Sequence, residues 1–391
     1  MTARSDHPAD VLVLGAGPGG LFAAGRLARR GIRTIVCEEH DRIGDPVHCT
    51  GVLAAESFDE FDLPRDATLN ELRTVQFVSP GGTIVEHSTP TAVATVIDRP
   101  AFDRALARRA EEAGAQIRCG ARVTSLDIDA DGVRATVGAE RIGAKMAILA
   151  CGASYAFQRQ FGLGLPRTYL HTAQRELRAA TPGDVELHFG RDVAPDGFAW
   201  AVPVRRREGT YARVGVMAAT GALDCYRRML ERIGDRWGVA DREQAPRLKI
   251  LPLGAIDRTY HNRLLAIGDA AGLVKPTTGG GIHYSIVSAA IAAEVVADAL
   301  ERNALDAESL SAYERAWRRR LDREFEAQHE LRRVASSLTD RAIDSFFELA
   351  HVNGIMPIVR ATAHFNEHRP LISALFKHPP ARRILVRGLL G

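Results

Sequence analysis

Glycines at two places in the chain could bind an anion through bare backbone, and an acid stands near each. The first set is Gly15-x-Gly17-x-x-Gly20. It follows the apolar run 11–14 and precedes Leu21, Phe22, Ala24 and Leu27 at helical spacing. Strand, tight turn and helix in that order predict a dinucleotide pyrophosphate site. Gly15 permits the turn, Gly17 admits phosphates to the backbone, and Gly20 lets the helix pack close to the strand. The helix start adds free N–H groups and a partial positive charge. Gly31 ends the helix, residues 33–37 read as a second strand, and Glu38 stands at its end. An acid there would hold a ribose hydroxyl pair.

The second set is Gly268-Asp269, after the buried run 264–267, followed by Gly279-Gly280-Gly281-Ile282. A long helix is predicted over 283–300. An acid directly after a strand can bond a polyol hydroxyl. Three glycines before a helix gather N–H groups and positive charge at one spot. A flavin needs this beside N1 and its C2 carbonyl, where negative charge collects on reduction. A nicotinamide dinucleotide offers no role for such a second site. Together the two sets predict FAD.

The elements that must position these residues indicate an α/β protein. A Rossmann-like FAD-binding domain is expected over 1–71, 92–165 and 262–304. Its strands include a near-continuous apolar run at 145–150, which suits a parallel sheet. That run ends in Cys151-Gly152-Ala153-Ser154, a small-residue turn suited to lie against a cofactor. Asp98-Arg99-Pro100 begins a helix, with Asp98 as N-cap. An antiparallel β-sheet cap for the substrate is expected over 72–91 and 166–261. It has strands at 72–78, 83–87, 185–189, 198–204 and 211–217, and a helix at 223–237. A helical C-terminal region takes up 305–391.

At 391 residues the chain can bury a large core. Apolar content of 46% and charged content of 25% are those of a soluble globular protein. A net charge of +3 gives no argument for nucleic acid. The five cysteines are scattered, without CxxC or Cys/His spacing, which suits a reduced cytoplasmic protein without a structural metal. Residues 1–10 lack a signal-peptide apolar core. Residues 288–300, the longest apolar candidate, are interrupted by Glu294 and Asp298.

With these residues assembled, the chain resembles the geranylgeranyl reductase family, within the hydroxylase-like flavoprotein class. Pro46-Val47-His48-Cys49 is similar to that family's loop with a flavin-proximal cysteine. Residues 195–203, Pro-Asp-Gly-Phe-Ala-Trp-Ala-Val-Pro, are similar to its cap motif P-x-x-Y-x-W-x-F-P. Phe198 replaces the tyrosine and Val202 the phenylalanine. The resemblance covers about the first 300 residues. It implies cofactor contacts at Gly15, Gly17, Pro18, Gly19, Gly20, Glu38, Glu39, Cys49, Arg99, Val123, Gly152, Gly268, Asp269, Gly279, Gly280, Gly281 and Ile282. Arg99 would serve the adenine or pyrophosphate side, unless it is simply an exposed first-turn residue.

The resemblance also implies an FAD-dependent reductase that saturates carbon–carbon double bonds of a polyprenyl chain. An isolated alkene has no carbonyl to stabilise developing charge, so the site must be dry and closely positioned. Cys49, Phe198 and Trp200 are the expected catalytic set, the two aromatics as flat walls of an apolar slot. Their alternative is plain sheet core. Cys49, His48, His283 and Tyr284 are the proton-donor candidates. The electron donor would be external, NAD(P)H or a ferredoxin-like protein, since no second G-x-G-x-x-G exists.

Three rivals follow from the same residues. A flavin monooxygenase would carry Asp-Gly where this chain has Cys151-Gly152. A halogenase needs an early active-site lysine, and no lysine precedes Lys145. The third is a non-catalytic lipid-binding relative, flavin-bound or flavin-free; an intact Glu38, Asp269 and 279–281 turn argue for retained FAD. The tail 370–391 mixes Leu and Ile with arginines. It would either pack on the body or rest peripherally on the inner membrane face.

Overall fold

The computed structural model describes residues 8–352 and 354–390, the last five by backbone alone. The polar segment 1–7 lies outside the described residues.

The first unit is β1 (Ala9–Leu14), α1 (Pro18–Arg29) and β2 (Thr34–Cys37). Next come β3 (Val52–Ala54), α2 (Ala55–Phe61), β4 (Thr68–Leu72), β5 (Thr74–Val78), β6 (Ile84–Ser88) and β7 (Ala94–Ile97). Then follow α3 (Arg99–Glu112), β8 (Gln116–Arg118), β9 (Val123–Ile128), β10 (Val133–Val137), β11 (Glu140–Leu149) and α4 (Ala156–Gln160). The middle of the chain forms β12 (Thr168–Arg178), β13 (Val185–His188), β14 (Phe198–Arg206), β15 (Gly209–Ala218), α5 (Ala222–Gly234) and β16 (Arg247–Leu253). β17 (Tyr260–His261), β18 (Leu264–Ala266) and α6 (Ile282–Glu301) return to the first sheet. The chain ends with α7 (Ala307–Ser337), α8 (Asp340–His351), α9 (Met356–Thr362), α10 (Arg369–Lys377) and α11 (Pro379–Leu390).

The main sheet runs β17-β18-β11-β1-β2-β8, with β10 and β9 added beside β11. Its centre, β18-β11-β1-β2-β8, is parallel. All of β1 except Asp10, and residues 146–149 of β11, are buried, as expected for strands covered on both faces. Asp98 caps α3 through its side chain, accepting from the Ala101 N–H. Helix α6 is long and apolar enough to cross a bilayer, but 67% of that stretch is buried against the rest of the protein.

The second sheet runs β16-β12-β15-β14-β13-β5-β6. It is not wholly antiparallel, because β13 pairs with β5 in parallel. The run 72–78 also differs from a single strand. Leu72 ends β4, which joins β3 and β7 in a separate small sheet, and β5 starts at Thr74 in the cap. β12 and β16 had no sequence signal strong enough to single them out. β12 carries His171, Gln174, Arg175 and Glu176 among its apolar residues.

The cap strands alternate by face, as period-2 geometry requires. Ala199 and Ala201 of β14 join Tyr226, Met229 and Trp237 in a core under α5. Phe198, Trp200 and Val202 turn to the opposite face.

Candidate functional site

The Gly15 turn sits where strand and helix leave no room for a side chain. Gly15 has φ +110°, and a Cβ there would run into the Ala150 carbonyl. Gly17 is the opposite case, with nothing within 4 Å of a Cβ position, so its backbone faces open space. Helix α1 starts without a side-chain cap and without an acid in its first turn. Its N–H groups are left for a ligand. Glu38 fixes the turn from the side. Its Oε2 accepts from the Ala16 N–H at 2.8 Å and its Oε1 from the His40 N–H at 3.0 Å.

The second glycine turn repeats the pattern. Helix α6 also starts with neither side-chain cap nor acid in its first turn. A Cβ on Gly281 would lie 2.7 Å from Asp269 Oδ1, so this carboxylate reaches the turn only because the residue is glycine. Burial raises the Asp269 pKa, against the pull of Lys249 and Arg99. Gly268 and Gly19 both approach Ser285 of α6, which locks the two turns together.

One cavity of about 1890 Å³ connects these turns. Gly15, Gly17, Pro18, Gly19, Gly20, Glu38, Glu39, Cys49, Arg99, Val123, Gly152, Asp269, Gly279, Gly280, Gly281 and Ile282 all line it. Gly268 is buried directly behind Asp269. Two uncapped helix starts, an acid at each and an open Gly17 fit an adenine dinucleotide carrying a flavin.

Arg99 is not an exposed first-turn residue. Its guanidinium donates to Asp103 at 2.9 Å and also lies against Cys49. Burial works against its charge, but the Asp103 carboxylate outweighs burial and holds it protonated. Cys49 Sγ accepts from the Gly51 N–H at 3.3 Å. The other proton-donor candidates are occupied. His48 Nε2 bonds the Arg247 carbonyl at 3.0 Å. His283 Nδ1 bonds Ser57 at 2.9 Å, and burial pushes its pKa down to about 3. Tyr284 lies outside the cavity lining, and burial pushes its hydroxyl pKa well up.

Beyond the second turn the cavity becomes apolar. Phe198 and Trp200 both line it, with ring centroids 5.8 Å apart. Trp200 lies against Gly215, where any Cβ would collide with the indole. Phe189 links Phe198 at 5.9 Å to Phe77 at 6.4 Å and to Phe347 of α8 at 5.9 Å. Phe346, Ile355, Met356, Val359, Leu371, Ile372 and Leu375 complete this end. The C-terminal helices therefore form one wall of the chamber. Sequence reading had not assigned them to the site. The signal was present in α8, where Ile343, Phe346, Phe347 and Ala350 repeat at helical spacing. Ile372, Leu375, Ala381 and Leu385 of the tail are buried, so this part of 370–391 packs on the body.

Arg332 of α7 joins the two halves. It donates to the Pro276 carbonyl at 3.3 Å and to the Asp196 carbonyl, tying the flavin turn to the cap motif.

The fold and cavity define an FAD-dependent oxidoreductase with an apolar chamber beside the cofactor turns. Residues 8–152 match the FAD binding domain family, and residues 216–383 match the lycopene cyclase protein family. The chain is 30% identical over 351 residues to digeranylgeranylglycerophospholipid reductase 2 of Methanothermobacter thermautotrophicus, covering 86% of this chain and 90% of the relative. It is 31% identical to the digeranylgeranylglycerophospholipid reductase of Methanocaldococcus jannaschii, covering 87% and 90%. Among solved structures, a geranylgeranyl bacteriochlorophyll reductase-like protein from Thermoplasma acidophilum superposes with TM-score 0.83 at 24% identity, over 98% of this chain and 99% of that one. A halogenase solved with FAD shares the fold at TM-score 0.68 and 16% identity, over 94% and 86%. The chain belongs to the geranylgeranyl reductase family, with the digeranylgeranylglycerophospholipid reductases as its relatives.

The halogenase likeness stops at the fold. Lys145, the earliest lysine, pairs with Asp10 at 2.9 Å and does not line the cavity.

Proposed function

We propose that this protein reduces the carbon–carbon double bonds of geranylgeranyl chains carried on a glycerophospholipid. The observation that carries this reading is the continuity of one cavity. It runs from the two cofactor turns into a chamber walled by Phe77, Phe189, Phe198, Trp200, Phe347 and Met356. Each methylene buried there contributes roughly 0.8 kcal/mol, so a long apolar chain binds without a polar anchor near the reacting carbons. The names of the curated relatives support the lipid class.

Reduced FAD, when bound, supplies the hydride for one alkene carbon. The chain's own residues do the rest. Glu38, Asp269 and the two glycine turns hold the cofactor. Phe198 and Trp200 orient the flat alkene, and the α8–α10 wall excludes water. Cys49 is the remaining donor candidate at the junction of the two halves, and Arg99 beside it holds the loop in place. Its thiol gives the proton to the second carbon. Electrons arrive from an external donor.

The test is anaerobic turnover of chemically reduced enzyme with geranylgeranyl phospholipids, diphosphates and prenylquinones, read by product mass. The expected product gains two mass units per double bond, with the phospholipid preferred. No saturated product from any of them, with an oxygenated product in air, would favour a monooxygenase.

A further inference from the structure

Lys275 is a buried lysine without a carboxylate in ion-pair contact. It is 3% exposed, and among the described residues no carboxylate lies within ion-pair distance of it. Its Nζ donates to the Phe365 carbonyl and to Asn366 Oδ1, both at 2.8 Å. The rings of Phe365 and Tyr284 face it at 4.9 and 5.8 Å. All of these partners are neutral. Glu56 and Glu324 act on it only from beyond ion-pair reach, and a buried charge without a contacting partner is costly unless something negative comes to it.

Its place in the chain indicates what that is. Lys275 begins the second glycine turn and closes it by backbone. Its N–H donates to the Gly280 carbonyl, and its carbonyl accepts from the Gly279 N–H. Lys275 lines the same cavity as Gly279, Gly280 and Gly281, and its Cδ lies 3.5 Å from where a Cβ on Gly280 would stand.

We propose that the Lys275 ammonium is the buried cation that stabilises the negative charge of the reduced flavin, and that it thereby sets the flavin's reduction potential. The backbone N–H groups of the 279–281 turn and the α6 N-terminus supply only partial charge there. Lys275 adds a whole one in a water-poor site, where it acts at greater strength. A role confined to holding residues 365–366 in place would be met as well by a neutral donor.

The groups facing Lys275 come from four elements. They are Glu56 of α2, His283 and Tyr284 of α6, Glu324 of α7, and Asn366 and His368 between α9 and α10. Burial, reinforced by Lys275, keeps both histidines neutral, with pKa values of about 3 and about 4. The two glutamates pull the lysine pKa up but do not balance burial, which pushes it down to about 7. Lys275 is therefore the group among these that titrates near neutral pH. Negative charge on the reduced flavin raises its pKa further. Between the two values, reduction takes up one extra proton.

The experiment is an equilibrium redox titration of the yellow holoprotein between pH 6 and 9, without lipid substrate. It therefore does not depend on the isoprenoid reading. At pH 6, K275M should lower the potential by at least ~30 mV, a tenfold change in the ratio of reduced to oxidised flavin. K275R should keep the wild-type value. N366A, which cuts the contact but leaves the ammonium, should also keep it. Above pH 7 the wild-type potential should fall more steeply than that of K275R, by ~30 mV per pH unit. An unchanged potential in K275M, or a drop in N366A equal to that in K275M, would overturn the proposal. If K275M does not retain flavin, K275Q takes its place, and an unchanged potential at pH 6 would overturn the proposal.

Discussion

The two halves of the cavity are built from different material. The cofactor half is backbone: two glycine turns, two uncapped helix starts and the acids Glu38 and Asp269. The substrate half is side chain, with aromatics from β5, β14 and α8 and aliphatics from α9 and α10. Backbone recognition tolerates almost no change at a glycine. Side-chain walls can be reshaped one residue at a time. Binding of the cofactor and choice of substrate should therefore fail separately.

The largest expected effect is at Gly15. Gly15→Val places a branched side chain at φ +110° against the Ala150 carbonyl. It should weaken FAD binding on the order of 100-fold. Flavin absorbance per mole of purified protein measures this, and a fully yellow variant would contradict the backbone account.

Next comes the cap, which should lose stability without losing flavin. Glu186 is 2% exposed and bonds His188, both Nη atoms of Arg236 and the Trp237 indole. Burial alone would raise its pKa, but His188 and Arg236 hold it at about 2, below the ordinary 4.5. A carboxylate lowered in this way contributes stability that is fully present above pH ~4.5 and lost as pH falls toward 2. Arg236 is half exposed, which discounts the contribution to about 2 kcal/mol. Glu186→Gln should remove about that much in denaturant unfolding at pH 7, and much less at pH 3, with flavin content unchanged.

A smaller and more selective effect is expected at the wall. Gly215→Ala forces the Trp200 indole off the sheet. Phe347→Ala opens the chamber on the α8 side. Each should lower kcat/KM for a geranylgeranyl lipid about tenfold, near 1.4 kcal/mol, with normal FAD affinity. Equal losses for short and long prenyl substrates would argue against a chain-binding wall.

The smallest effect concerns how the wall is fastened. Asp344 of α8 accepts from the Ser79 hydroxyl at 2.6 Å and the Gly81 N–H at 2.8 Å in the β5–β6 turn. Asp344→Ala should cost about 1 kcal/mol of stability, and faster hydrogen exchange should be confined to α8 and that turn.

The same contrast explains what could be read from the chain. Glycine spacing has few physical meanings, so Gly15, Gly17, Gly20 and the 279–281 turn pointed to FAD before any fold was seen. Alternation along 198–202 placed Phe198, Trp200 and Val202 on one face. What could not be read was which element would face them. Phe347 lies nearly 150 residues from Phe198, and apolar helical spacing in α8 does not name its partner. Arg99 was legible as a first-turn residue, but its grip on Asp103 and its contact with Cys49 depend on a loop 50 residues earlier. The parallel pairing of β13 with β5 was hidden for the same reason, since register between distant strands leaves no local mark.

The central claim is that one continuous cavity places an isoprenoid chain against the reduced cofactor. Anaerobic rapid mixing of the reduced holoprotein with a digeranylgeranyl phospholipid tests it most directly, with the fully saturated lipid as control. The flavin should reoxidise with the unsaturated lipid, one turnover per double bond reduced, and stay reduced with the saturated one. Flavin that stays reduced with both lipids would contradict the account.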